Sequence, residues 1–256
     1  KPSLFQKYAS DLLRTSNLNV ESPEYKSKIY WAIIDPENSR SLQMGERYGF
    51  ESIAKVKTTA FSRIKLSARP KVTKSTVAEH DEIWKNIQSF YSGYNGLTKV
   101  HLFEHNNYYV LKNNGQIIAG IQGNQVEWKI EAMPGGFGKV LVKVMPYIPL
   151  INRIINPKKY QFLATEGLFW KNGFEHKVQE LLEGVLHIHQ CHSMLIWTDA
   201  KDSKINTVLQ KTKLGLLQKI KKDNRVDIVA KFNSVDEAVK QSMKNNLHYI
   251  SGFDCT

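Results

Sequence analysis

The stretch from Ile29 to Phe50, IYWAIIDPENSRSLQMGERYGF, constrains this chain more than any other, because it spells strand, turn, helix and stop in one run. Ile29, Trp31, Ile33 and Ile34 suit a strand, Pro36 ends it, and Asn38 or Ser39 caps the helix that follows. Leu42 and residues 44–47 carry that helix to Gly49, placed for a left-handed C-terminal cap, and Phe50 opens the next strand. Alternation of this kind belongs to α/β architecture.

A similar order recurs later: a strand at His192 to Thr198, a helix at Ser203 to Lys213 and a stop at Gly215. Trp31 and Trp197 share one offset, 197 − 31 = 166, with Gly49 and Gly215, Lys55 and Lys221, and Lys65 and Lys231. That spacing is what tandem duplication would give. Upstream, Leu4, Phe5, Tyr8, Leu12 and Leu13 share one face of an amphipathic helix over 3–14. Glu51 to Leu66 reads as two strands, and Ala68-Arg69-Pro70 as a linker.

Beyond the linker come a short strand at Val72 and a helix over Val77 to Tyr91, with Ile83, Trp84, Ile87 and Phe90 at helical spacing. Tyr108 to Lys112 and Gln116 to Gln122 form a hairpin around Asn113-Asn114-Gly115, residues that tolerate positive φ. Val126 to Ile130 extends the sheet, Tyr160 to Thr165 adds a strand ending at Glu166-Gly167, and a helix spans Glu175 to Leu186. A helix over Asn233 to Asn245 and a strand over Leu247 to Phe253, free to pair with either half's sheet, close the chain.

At 256 residues and 41% hydrophobic, the chain has core enough for one large or two ordinary domains. Its formal net charge of +12 favours anionic partners, whether nucleic acid, acidic membrane or phosphorylated cofactor. The aromatics sit at core spacing with no basic run interleaved, so no specific nucleic-acid site is expected. Cys191 and Cys255 are too few for a disulfide framework, which points to a reducing, cytoplasmic setting. The run His187-x-His189-x-Cys191-His192 has ligand chemistry but no second cluster, so no metal is expected. Pro134-Gly135-Gly136-Phe137-Gly138-Lys139 lacks the full phosphate-loop pattern and reads as a Gly-rich turn opening a helix. Val140 to Ile155 is apolar with Lys139, Lys143, Arg153, Lys158 and Lys159 around it. With Pro146 and Pro149 inside, a kinked insertion over the sheet is the first reading and membrane contact the lesser one.

Asn38, Ser41, Leu42, Gly49 and Phe50, in the spacing N-x-x-S-L-x-x-x-x-x-x-G-F, resemble the closing segment of the GCN5-related N-acetyltransferases, the GNAT superfamily. The hairpin with Gly120 in its return strand, and the order of elements after it, resemble a whole GNAT domain. The resemblance implies an α/β fold with a mixed, mostly antiparallel sheet flanked by helices, in two lobes. Residues 1–69 would be the C-terminal half of one lobe, beginning just past its pyrophosphate loop, 70–232 a complete lobe, and 233–256 a C-terminal helix and strand. It also implies an N-acetyltransferase with acetyl-CoA as co-substrate and the amine of a small molecule or peptide as acceptor.

On that resemblance Asn38 and Ser41 face coenzyme A in the first lobe. Lys171, Asn172, Gly173 and Phe174 stand at the pyrophosphate loop of the second, where a helix N-terminus favours anions. Glu166 falls where many members carry a general base, although a solvated carboxylate at a strand end is the plainer reading. The strands at Tyr160 and His192 would part to admit the coenzyme's arm. Two positions depart from the pattern: Glu175 stands where the loop ends on a small residue, and Gly45 where many members have a tyrosine. The alternative is a non-catalytic, degenerate GNAT-like module that binds an acyl-CoA or nucleic acid.

Overall fold

The structure, a computed structural model, describes residues 28–131, 138–220 and 225–252. The helix expected over 3–14, residues 134–137 of the Gly-rich turn, Phe253 and Cys255 lie outside them. In chain order the elements are β1 (Lys28–Ile34), α1 (Ser39–Arg47), β2 (Glu51–Ser62), β3 (Val72–Lys74), α2 (His80–Phe90), β4 (Tyr108–Asn113), β5 (Gln116–Trp128) and α3 (Gly138–Val144). They continue as α4 (Pro149–Ile154), β6 (Tyr160–Trp170), α5 (Val178–Ile188), β7 (Ser193–Asp199), α6 (Ser203–Lys211), α7 (Leu216–Ile220), β8 (Arg225–Asn233) and α8 (Glu237–Asn245).

The chain forms two compact units that interleave along the sequence. The smaller takes Lys1–Lys55 and Arg225–Asn246, the larger Val56–Asn224 and Leu247–Thr256. Residues 51–62 were expected to turn, and instead run straight as one twelve-residue strand. The reason is in the text: ESIAKVKTTAFS holds no Gly, Pro, Asn or Asp to reverse the chain. β2 therefore gives its first five residues to the smaller unit and the rest to the larger.

In the smaller unit β1 pairs antiparallel with β8, from Lys28↔Asn233 to Ile34↔Asp227. The Asn38 side chain accepts the Ser41 amide at 3.1 Å and caps α1, and Gly49 adopts φ +79° beyond its end, as the sequence predicts. Asp227 on β8 accepts Ser52 Oγ and Lys55 Nζ, each at 2.8 Å.

In the larger unit the strand order is β2-β7-β6-β5-β4-β3. Its pairs are antiparallel except β6 with β7, which run parallel. The β4–β5 hairpin turns at Asn114 (φ +49°) and Gly115 (φ +79°), the pair of left-handed residues the sequence requires there. The core gathers Ile83 and Ile87 of α2, Leu181, Leu182 and Val185 of α5, and the inward residues of the sheet. The linker expected at 68–70 is pinned: Arg69 and Arg63 both bind Glu183, a buried carboxylate on α5, Arg63 at 2.8 Å. Burial pushes that carboxyl's pKa up, but the hydrogen bonds from Arg69, Arg63 and Gln179 outweigh it and hold it below the usual range.

Gly120 lies between two buried rings. A Cβ there would stand 2.7 Å from carbons of both Phe169 and Tyr108. Gly120→Ala is therefore expected to cost about 1–3 kcal/mol through overpacking, read as a fall in melting temperature; an unchanged melt would mean that the two rings do not close on this strand.

Candidate active site

β6 carries one residue more than β5 between Gly120↔Phe169 and Gln122↔Glu166, so Gly167 and Leu168 oppose Ile121 alone. A bulge of this kind bends the strand that holds it and frees carbonyls from the ladder. Gly167 takes φ +61°, and a side chain there would strike Leu102. Two buried hydroxyls collect the freed carbonyls: Tyr108 donates to Gly167 O and Tyr91 to Leu168 O, each at 2.6 Å. On its other side β6 pairs with β7 only at Leu163↔Met194 and Ala164↔Leu195. Thr165 Oγ1 then donates to Leu195 O at 3.0 Å, the last polar link before the strands part into a wedge.

Antiparallel strands leading to β6, the α5 crossover, a parallel β7 that parts from β6 at a bulge, and α6 after it together decide the architecture. The larger unit has the GNAT-like order of elements expected from the sequence. No family model matches the chain, and no curated protein matches it. Among solved structures it is similar to a GCN5-related N-acetyltransferase from Sphaerobacter thermophilus, at 9% identity over 82% of this chain and 62% of that one, TM-score 0.48. A GNAT-family protein from Novosphingobium aromaticivorans gives 7% identity, 82% and 75% coverage and a TM-score of 0.45. Saccharomyces cerevisiae N-myristoyltransferase with bound myristoyl-CoA gives 11%, 80% and 53%, with a TM-score of 0.42. The chain thus spans less than two thirds of the first of these proteins, and about half of the last.

Glu166 was expected at a strand end, facing water. The bulge lets β6 continue to Trp170, and Glu166 is instead an interior strand residue, 3% exposed, lining the wedge beside β7. Its Oε1 accepts the Tyr249 hydroxyl at 3.1 Å. Burial, and then the charge of Glu166, push the Tyr249 phenol well above its ordinary pKa, so it stays a proton donor at any neutral pH.

Tyr249 arrives from the far end of the sequence. The expected strand over 247–253 is reduced, in its described part, to a single parallel bridge between Asn95 and His248, and residues 247–252 enter the wedge. Asn95 brackets it, donating to Leu247 O at 2.8 Å and accepting the Tyr249 amide at 2.9 Å. The His248 amide donates to Asp199 Oδ2 at 3.0 Å, Ile250 faces the wedge, and a Cβ on Gly252 would lie 2.4 Å from Thr165 O. The space left between Glu166, Thr198 and Ile250 is about 20 Å3.

Where β6 ends, a larger cavity of about 620 Å3 opens between α2, the 171–175 loop and the start of α6. Lys171, Asn172, Ser203 and Lys204 give it polar walls, Phe90 and Trp170 apolar ones. Lys204 Nζ lies 3.6 Å above the Phe90 ring and bonds Phe90 O. Desolvation lowers its pKa against the pull of Asp202. Of the four loop residues expected to hold a pyrophosphate, Lys171 and Asn172 line this cavity. Three of the four loop amides are already taken: Lys171 N–H donates to Ile118 O at 2.7 Å, Gly173 N–H to Glu175 Oε1 at 3.1 Å and Phe174 N–H to Lys171 O at 3.0 Å. Asn38 and Ser41 are in the smaller unit, bonded to each other.

The residues around His187 and Cys191 go separate ways. His189 packs on Tyr109, His192 bonds Arg63 O at 2.8 Å, and the buried Cys191 thiol faces the Gln161 and Ser193 carbonyls. Among the described residues no three His, Cys, Asp or Glu side chains converge as metal ligands.

Sequence reasoning missed Asp199, Asp202, Tyr91, Tyr94 and His248. Asp202 caps α6 through the Ile205 amide and accepts Tyr94 Oη at 3.0 Å. Asp199 Oδ2 lies 3.5 Å from His248 Nδ1. Burial pushes the Asp199 pKa up, but the nearby His248 ring and the bonds from the Lys201 and His248 amides outweigh it and hold the group below its ordinary 3.8. A depressed carboxylate stabilises the fold fully above its unfolded pKa and ceases to do so as pH falls through the folded one. Denaturant titrations should therefore show a constant stability gap between wild type and Asp199→Asn above about pH 5 that closes below pH 3.8. A gap independent of acid would exclude the His248 pairing.

Proposed function

We propose that the larger unit is an N-acyltransferase module that takes an acyl-CoA, acetyl-CoA first among them, and passes its acyl group to the amine of a small molecule or peptide. The observation that supports this most is the wedge itself: two parallel strands that part after two paired residues, with a carboxylate held inside by a bulge. In the reading proposed, the amine nitrogen attacks the thioester carbonyl, the C–N bond forms as the C–S bond breaks, coenzyme A leaves as its thiolate with the C–S electron pair, and Glu166 takes the proton the nitrogen sheds. Tyr249 orients Glu166 by donating to it.

The 620 Å3 cavity fits the phosphate end of such a donor through Lys171, Lys204 and Ser203. Three of the four loop amides do not, because Ile118 O, Glu175 and Lys171 O already occupy them. For the arm to lie between β6 and β7, residues 250–252 must leave the wedge, while Asn95 keeps Tyr249 beside Glu166. Those two facts favour a second reading, a degenerate GNAT-like module without catalysis, and the two are separable in solution.

Calorimetric titration of the full chain with acetyl-CoA and longer acyl-CoAs, alongside a free-thiol release assay with amine acceptors, is the decisive pair. Saturable binding lost in Lys204→Ala, with turnover falling about a hundredfold or more in Glu166→Gln while binding persists, is the outcome expected. Binding without thiol release would favour the non-catalytic module; neither binding nor release would end both readings. Tyr249→Phe should keep donor binding and lower turnover by less than Glu166→Gln does, since it removes an orienting bond rather than the base.

A further inference from the structure

The insertion between β5 and β6 turns its apolar stripe outward. Val140, Val144 and Tyr147 follow the i, i+4, i+7 spacing that a helix normally buries, yet they are 56%, 47% and 79% exposed. Ile148 and Leu150 continue the surface at 37% and 54%. The segment is nonetheless anchored, because Met145, Ile154 and Ile155 are buried beneath it. Lys143 sits one turn from Val140 and beside Val144, Arg153 one turn beyond Leu150, and Lys158 and Lys159 follow, all exposed. Lys159 reaches Glu127 at 3.5 Å.

We propose that this face is a docking surface for an anionic lipid bilayer. Short helices broken at Pro149 present large apolar side chains flanked by ammonium and guanidinium groups, the chemistry that seats a segment at the boundary between headgroups and acyl chains. A second copy of the chain is the poorer occupant, since a two-fold pairing would bring the flanking cations of both copies together. Among the described residues no helix is long and apolar enough to cross a membrane, so the contact is peripheral. It would hold the 620 Å3 cavity's unit against the lipid surface whatever that cavity binds.

Flotation of the full chain with vesicles of phosphatidylcholine alone, and of phosphatidylcholine with phosphatidylglycerol, tests the proposal. Association is expected with the anionic vesicles only, falling with added salt. Leu150→Asp should weaken partition roughly tenfold, and Lys143→Ala and Arg153→Ala about fivefold each. Tyr147→Asp serves in place of Leu150→Asp if the latter's thermal melt differs from wild type. Equal association with both vesicles, association with neither, full binding by a well-folded Leu150→Asp variant, or a dimer in light scattering that Leu150→Asp dissolves would each overturn the assignment.

Discussion

Where β6 carries its extra residue, two main-chain carbonyls leave the ladder inside a dry core, and leaving each unpaired would cost about 1–3 kcal/mol. The hydroxyls of Tyr108 and Tyr91 meet them at 2.6 Å, one from the neighbouring hairpin and one from the residue that ends α2. The shape of the larger unit's sheet depends on those two bonds. They let the strand bend away from β7 without a polar debt, and the bend is what parts the sheet. Both phenols are raised far above their ordinary pKa, by burial first and by the nearby Glu166 charge among the lesser causes, so they remain donors. A carboxylate, a bulge and a cluster of tyrosines thus form one electrostatic unit, in which each hydroxyl has an oxygen to serve.

The wedge that results holds a buried carboxylate and is filled by residues 247–252. Tyr249 closes the tyrosine cluster by packing edge-on against Tyr91, with ring centroids 5.0 Å apart, while its hydroxyl satisfies Glu166. Burying a lone carboxylate is costly, and the tail lowers that cost. The same segment fills the wedge with Ile250 and Gly252. Glu175 acts similarly at the loop, supplying from within the protein the negative charge that helix-start amides favour.

What the sequence made legible was local. The Asn38 cap, the Gly49 stop and the Asn114-Gly115 turn each follow from residue types with one dominant conformational use, and each appears in the structure. Glu166-Gly167 misled for a physical reason: glycine after an apolar run reads as a strand end, whereas here it marks a bulge inside a longer strand. β2 misled in the opposite sense, since alternation without a turn residue is one strand however long. The tail's place was not readable, because Asn95 and His248 carry no local sign that they will meet. Lys204 reads as an ordinary surface lysine until Phe90 is brought over it.

The bracket that Asn95 places around residues 247–249 also has a bearing on synthesis. A ribosome delivers the chain in order, and the core strands of the larger unit all precede residue 200. Until residues 247–252 emerge, the Tyr249 hydroxyl cannot reach Glu166 and the wedge stays unfilled. Contacts so distant in sequence form late and slowly. The nascent unit would therefore pass through an open-wedged form, a substrate for chaperones or for any ligand that reaches the gap before the tail does.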